Sequence, residues 1–187
     1  MTHDALFELG VKLVHERIQG TRKGSTEAAS AHSLRVAARL TRHGYDGDVV
    51  LAGLLHDILE DGDTTLMELR ELGYSARTLE IVHLSSHDLS LHVRTSFEKD
   101  QRWARMVARL EASGHPDAWA VKVCDLIDNL HGSVTLPAER RAVFFDLKAP
   151  TYLSLSRPLL GQTALWSELL EAFISPGVDR FRALLKE

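Results

Sequence analysis

Four ionisable residues stand within six positions in His56-Asp57-Ile58-Leu59-Glu60-Asp61, directly after an apolar run over residues 49–55. Taken as one buried helix over residues 49–61, the segment places His56 above Glu60 and Asp57 above Asp61, because residues four apart share a helical face. Acidic groups at the C-terminal end of a helix oppose the macrodipole and one another, so helix propensity does not account for them. A cation reconciles them. An imidazole nitrogen beside a carboxylate is an ordinary coordination pair for Zn, Mn or Fe, and carboxylate enrichment leans toward the harder of these ions. A His-Asp pair alone is more often a solvated acidic helix end, so the remaining ligands have to come from elsewhere in the chain.

Two other helices offer them. Residues 117–131 carry Trp119, Val121, Val123, Leu126, Ile127 and Leu130 on an apolar helix, with Asp125 and Asn129 four apart on one face and Asp128 nearby. A carboxylate and an amide facing the same way from a buried helix need partners, since buried polar groups are normally satisfied, and Asp125 is the candidate for the remaining ligand. Residues 31–43 form a helix with Leu34, Val36, Ala37, Ala38 and Leu40 as its apolar side and His32 in its first turn. Taken alone, His32 reads as structural. Between the first two helices lies Gly20-Thr21-Arg22-Lys23-Gly24-Ser25-Thr26, where two cations bracketed by glycines can approach a phosphate or lay a guanidinium on a base. A basic surface turn is the plainer reading of that loop.

The elements that must position these groups are helical. Residues 4–18 show helical spacing of Leu6, Leu9, Leu13 and Val14, with Asp4 as candidate N-cap and Gly20 as stop. Thr65-Leu66-Met67-Glu68 is a capping-box pattern closed by Gly73, and Ser75 opens a further helix. Residues 96–113 form a helix ended by Gly114 and Pro116, with Arg102, Arg105 and Arg109 as a basic stripe. Helical patterns follow at 138–147, at 152–173 with Pro158 and Gly161 interrupting, and at 178–186. No segment alternates as a strand bounded by hairpin turns. The expected fold is all-α, a single compact bundle of eight to ten helices without repeat or linker.

Composition bounds the rest. The chain has 187 residues, 44% hydrophobic and 26% charged, which suits one globular domain. Its single cysteine, Cys124, permits no internal disulfide and points to a reducing compartment. With no basic n-region and no apolar run of membrane-spanning length, a soluble cytoplasmic protein is expected, with no membrane partner. A net charge of −4 argues against a nucleic-acid polymer as partner but leaves room for a small anionic ligand met by local cations. Nothing in these patterns selects an oligomeric state.

The order His32, then His56-Asp57, then Asp125 on a later helix resembles the H…HD…D pattern of the HD-domain phosphohydrolases. Within that superfamily, Arg22-Lys23-Gly24 before the first histidine, Glu60-Asp61 after the HD pair and Asp125-x-x-x-Asn129 together look like the RelA/SpoT-type hydrolase domain. The length is similar to that of stand-alone small alarmone hydrolases, the metazoan SpoT homologues among them. The resemblance covers about residues 6–135. It thins afterwards, with a faint likeness at Tyr152-Leu153-Ser154-Leu155-Ser156-Arg157-Pro158-Leu159-Leu160-Gly161. It implies that His32, His56, Asp57 and Asp125 ligate one Mn²⁺, with Fe²⁺ or Zn²⁺ as alternatives. It further implies that Glu60 and Asp61 position and activate a water, that Arg22 and Lys23 lie against the guanine base, and that Asn129 lies near the nucleoside. The implied reaction is hydrolysis of the 3′-pyrophosphate of guanosine tetra- or pentaphosphate, a small-molecule nucleotide polyphosphate, to give pyrophosphate and GDP or GTP.

The chain departs from longer members of that family in three places. Ala28-Ala29-Ser30-Ala31 stands where they carry a tyrosine, Ser33 where they have proline, and Asp125-Leu126-Ile127-Asp128-Asn129 where they read Asp-Arg-x-His-Asn. Three rivals follow from the residues. An HD-type nucleotidase would share His32, His56, Asp57, Glu60 and Asp125. A two-metal HD phosphodiesterase would add His83 and His87, four apart. A non-catalytic nucleotide sensor would keep the metal and lose turnover, although Glu60 and Asp61 are both intact.

Overall fold

A computed structural model describes residues 1–22, 24–87 and 95–184, with side chains through residue 176. Its core forms around two deeply buried helices. Helix α3 (Gly47–Leu55) buries every residue from Val49 to Leu55, and α8 (Pro116–Gly132) buries Trp119, Val121, Val123, Ile127 and Leu130 among others. Each fully buried large aliphatic side chain contributes about 1.5–3 kcal/mol relative to exposure, so these two helices set the centre of the molecule. Around α8 pack α2 (Ser30–Arg42), α3, α6 (Ala76–Ser85), α10 (Ala149–Leu160) and α11 (Ala164–Leu184). Helix α1 (His3–Arg17) lies against α2 and α3. The approach of α2 to α3 is close enough that a Cβ on Gly53 would stand 2.2 Å from Leu40 Cδ1, so a larger residue there would force the buried Leu40 side chain to move.

The bundle is completed by α4 (Ile58–Asp61), α5 (Leu66–Glu71), α7 (Ser96–Ser113) and α9 (Ala138–Ala142). A 3₁₀ turn at Ser133–Thr135 precedes α9, and a π-helical turn at Val143–Lys148 joins it to α10. Among the described residues there are eleven α-helical segments and no strand. An isolated antiparallel bridge pairs Thr21 with Ala28 and closes the loop that carries Arg22. No helix among the described residues is long and apolar enough to cross a membrane. The all-α bundle expected from periodicity is therefore what the chain forms.

Several expected ends hold. Thr65 Oγ1 accepts the Glu68 N–H, Ser75 Oγ accepts the Thr78 N–H, and Gly114 closes α7 with φ +59°. Others shift. Thr2, not Asp4, caps α1, its hydroxyl accepting the Ala5 N–H at 3.3 Å while Asp4 sits in the first turn. The expected helix over 49–61 is broken at His56–Asp57 into α3 and α4. The Gly53 carbonyl, the acceptor an unbroken helix offers to the Asp57 N–H, is taken by His56 Nδ1 at 2.8 Å. Near the C-terminus the helices are longer than expected. Helix α10 carries Pro158 in its last turn and α11 runs through Pro176 to Leu184, so the described part of the expected 178–186 helix continues α11. Helix α11 is seated by Arg39, whose Nε donates to Glu168 at 2.9 Å.

Candidate metal centre

The predicted ligands lie near one another. His32 comes from the first turn of α2, His56 and Asp57 from the turn between α3 and α4, and Asp125 from the middle of α8. His32 Nε2 lies 3.0 Å from Asp125 Oδ1 and 3.7 Å from Asp57 Oδ2. His56 Nε2 lies 3.1 Å from Asp57 Oδ1 and 3.9 Å from Asp125 Oδ1. The ligand atoms of His32, His56 and Asp57 all fall within 4.8 Å of one another, the one such group found among the described residues. This His/His/Asp cluster can coordinate a divalent cation, and Asp125 Oδ1 borders both of its imidazoles.

The chemistry of the donors fits an ion. His56 is fully buried, and its Nδ1 faces the Gly53 carbonyl, which only accepts, so Nδ1 carries the hydrogen and Nε2 the lone pair. That buried Nε2 has no hydrogen-bond partner. A polar atom so deep is normally satisfied, and a cation at the cluster would satisfy it. On His32, Nδ1 lies 2.7 Å from Asp128 Oδ2, so the proton it would give up to an ion is the one on Nε2, which faces Asp125 Oδ1 and the cluster.

The charges around the cluster are tightly paired. Burial alone would lower the His32 pKa, but hydrogen bonds to Asp125 and Asp128 and the charges of Asp125 and Asp57 raise it to about 9 in the metal-free protein. Burial pushes the Asp57 carboxyl up, yet the neighbouring His56 and His32 rings hold it below the usual carboxylate range. Asp125 is likewise penalised by burial and is drawn well below that range by Lys122 and the two imidazoles. Lys122 is buried on α8 with its Nζ 2.6 Å from Asp125 Oδ2, and this carboxylate keeps the ammonium charged despite its burial. Asn129 Nδ2 donates to Asp125 Oδ1, so both oxygens of that ligand are oriented from its own helix.

The other predicted residues take distinct places. Arg22 and Asn129 meet, Arg22 Nη2 donating to Asn129 Oδ1 at 2.8 Å, and Arg22 Nη1 also pairs with Asp128. The guanidinium is thus tied to two acceptors beside His32. Lys23 lies outside the described residues. Glu60, on α4, is largely buried and bonded to His87, while Asp61 is exposed one turn beyond Asp57, its N–H donating to the Asp57 carbonyl at 2.9 Å. His83 and His87 do not share a helical face, because α6 ends at Ser85, and His87 Nδ1 is engaged by Glu60.

Sequence reasoning missed the residue on which much of this rests. Asp128 is buried and accepts from His32 Nδ1, from Arg22, and from Arg35 through Nε at 2.6 Å and Nη2 at 3.1 Å. Burial raises its carboxyl, and these partners hold it far below the usual range. The signal was the spacing: Asp128 is three residues from Asp125 and Arg35 three from His32, so each shares a face with a ligand. Lys122 stood out too, as the one cation in an otherwise apolar stretch of α8. Lys148 ends the π-helical turn packed on α8. Its Nζ sits 5.3 Å from the Phe144 ring centre, burial lowers its proton affinity, and it lies within electrostatic reach of Asp125 and Glu60. Among the described residues it makes no ion pair.

Comparison with known proteins accords with this arrangement. The HD-domain family model matches residues 10–144. A guanosine-3′,5′-bis(diphosphate) 3′-pyrophosphohydrolase of Aquifex aeolicus (strain VF5) is 27% identical over 136 residues, which is 73% of this chain and 18% of that protein. A probable enzyme of the same name from Mycoplasma pneumoniae is 26% identical over 123 residues, 64% of this chain and 17% of that one. The chain therefore spans less than a fifth of the length of the curated relatives it matches. Among solved structures, a metazoan orthologue of SpoT that hydrolyses ppGpp superposes with a TM-score of 0.76 at 25% identity, covering 92% of this chain and 96% of that one.

Proposed function

Because the chain belongs to the HD-domain family, we propose that it is a metal-dependent phosphohydrolase that removes the 3′-pyrophosphate of guanosine tetra- or pentaphosphate, releasing pyrophosphate and GDP or GTP. The observation that carries the metal-dependent part is the buried, otherwise unpartnered Nε2 of His56, set among His32, Asp57 and Asp125. The substrate reading, that of a small alarmone hydrolase, is supported by the names of the relatives and by the likeness to the ppGpp-hydrolysing metazoan protein. His32, His56, Asp57 and Asp125 would hold the ion. Mn²⁺ is the proposed occupant, with Fe²⁺ or Zn²⁺ suited to the same two-nitrogen, two-carboxylate set.

Bound there, a divalent ion lowers the pKa of a water and shields phosphoryl oxygens from a nucleophile. The chain's own residues supply the rest. Asp128 and the Gly53 carbonyl keep both imidazoles in the tautomer that can ligate. Glu60 orients the attacking water and accepts its proton, with Asp61 assisting from the solvent side. Arg22 and Asn129 meet the nucleoside as a hydrogen-bonded pair, Lys23 follows Arg22 in the same loop, and Lys148 offers its ammonium to a phosphate. The partner is a small nucleotide polyphosphate and not a nucleic-acid polymer.

One observation favours a second reading. A guanidinium tied to Asp128 and Asn129 has less freedom to lie on a guanine ring, which suits an HD-type nucleotidase acting on ordinary nucleotides. A product-resolved assay of Mn²⁺-loaded protein on guanosine and adenosine monophosphates and polyphosphates separates the two. Pyrophosphate from guanosine tetraphosphate is expected. Orthophosphate from monophosphates identifies the nucleotidase, and tight binding without product over hours identifies a non-catalytic sensor.

A further inference from the structure

Glu60 is held in a way that neither α4 nor the metal cluster explains. Its side chain is 15% exposed, and among the described residues His87 engages both carboxylate oxygens. Oε1 accepts the backbone N–H of His87 at 2.7 Å, and Oε2 meets His87 Nδ1. An ionised carboxylate only accepts, so Nδ1 carries the hydrogen of that contact.

His87 is itself anchored. It follows the end of α6, where Ser86 Oγ lies 2.8 Å from the Val82 carbonyl and 3.0 Å from the His56 carbonyl, donating to that pair. From α7, Arg109 Nη2 donates to the carbonyl of His83 at 2.9 Å and to that of Ser86. The backbone presenting both donors to Glu60 is therefore fastened on one side to the turn that carries His56 and Asp57, and on the other to α7. A register shift of the metal-bearing turn would carry Ser86, and with it the clamp on Glu60.

The geometry points to His87 as the positioning residue for Glu60: a two-point clamp that fixes the carboxylate's rotamer and leaves each oxygen a second lone pair for the attacking water. A glutamate side chain is flexible, and ordering it during folding removes that cost from each turnover. This deepens the hydrolase reading and rests on it. It also assigns His87 to the proton-accepting group of the first cation's site, in place of a second cation.

Two substitutions test the clamp on the Mn²⁺-loaded full chain, assayed with whichever nucleotide of the guanosine and adenosine panel the wild type hydrolyses fastest. His87→Ala keeps the backbone donor and loses the ring. His87→Asn keeps both, because its amide N–H falls about where Nδ1 stands. His87→Ala is expected to lower kcat about 10–100-fold, with KM within about threefold and manganese content unchanged. His87→Asn is expected to recover kcat to within about fivefold of wild type, and His87→Ala in a Glu60→Gln background to add no further loss. Wild-type kcat in His87→Ala overturns the inference. So does an equal loss in both variants accompanied by loss of manganese, or a fully additive loss in the double variant. A wild type that ignores guanosine tetraphosphate but hydrolyses another nucleotide overturns the substrate assignment and leaves this test intact. A wild type that hydrolyses none of the panel overturns the hydrolase reading and the role of His87 with it.

Discussion

Replacing Asp128 with alanine removes the acceptor on which an imidazole of the cluster and two arginines converge. The buried contact from His32 Nδ1, at 2.7 Å, is a hydrogen bond to a charged acceptor, worth about 1.5–3 kcal/mol. Arg22, with 17% of its side chain exposed, keeps Asn129 but loses its counter-charge in a largely buried setting. Arg35 is 39% exposed and solvated, so its share is discounted to about 1 kcal/mol or less. Together these give a loss of about 3–5 kcal/mol, a large part of an ordinary domain's stability of about 5–15 kcal/mol. With its tautomer no longer fixed, His32 should also hold Mn²⁺ about 10–100-fold more weakly. Urea unfolding of the metal-free protein and a competitive Mn²⁺ titration read the two effects separately. Asp128→Asn, which keeps the shape but not the charge, should fall between. If both variants unfold within about 0.5 kcal/mol of wild type and bind Mn²⁺ equally well, Asp128 is a bystander and the role assigned to it is wrong.

Metal and pH are linked through His32. Its folded pKa in the metal-free protein, about 9, exceeds the ordinary 6.5, so the stability it lends is fully present below about pH 6.5 and is lost as pH rises through about 9. The loss amounts to about 3 kcal/mol. Mn²⁺ should abolish that decline, because a ligating imidazole has already lost its proton; identical profiles from pH 6 to 9.5 with and without metal would count against it. Asp57→Ala should remove both manganese and turnover, whereas Glu60→Gln should keep fold and metal and lower kcat by about 10²–10⁴-fold. Equal metal loss in the two would refute the division of roles. Lys148→Ala should raise KM for the polyphosphate about tenfold at unchanged metal content, and an unaltered KM would remove Lys148 from the site.

The helices were legible where one periodicity dominated. The uninterrupted apolar run of α3 and the apolar positions of α8 marked buried elements, and His56, Asp57 and Asp125 stood out as metal-ligand types on them, whereas His32 reads as structural by itself and joins them only through the H…HD…D order. The break at His56–Asp57 was not legible, since both residues keep right-handed helical angles and the i, i+4 pattern reads the same with or without it. What the sequence concealed was pairing across distance. Asp128 meets His32 from 96 positions away and Arg35 from 93, and Glu60 meets His87 from 27. Helical spacing shows that Lys122, Asp125, Asp128 and Asn129 cluster on one side of α8, but not which cations arrive there. The interruption expected at Pro158 and Gly161 falls between Leu160 and Ala164, whereas the gap left between 173 and 178 is bridged by α11. Buried Tyr152, Ser156 and Leu160 hold α10 two residues past Pro158, and buried Leu165, Leu169 and Ala172 seat α11 ahead of Pro176, where proline would ordinarily break a helix.

The central claim is that four side chains from three parts of the chain close on one cation. Crystals of the protein grown with Mn²⁺, measured at the manganese edge, address it directly. The prediction is a single anomalous peak at about 2 Å from His32 Nε2, from His56 Nε2 and from one carboxylate oxygen each of Asp57 and Asp125. No peak at saturating Mn²⁺, or a peak that His56 does not touch, would contradict it.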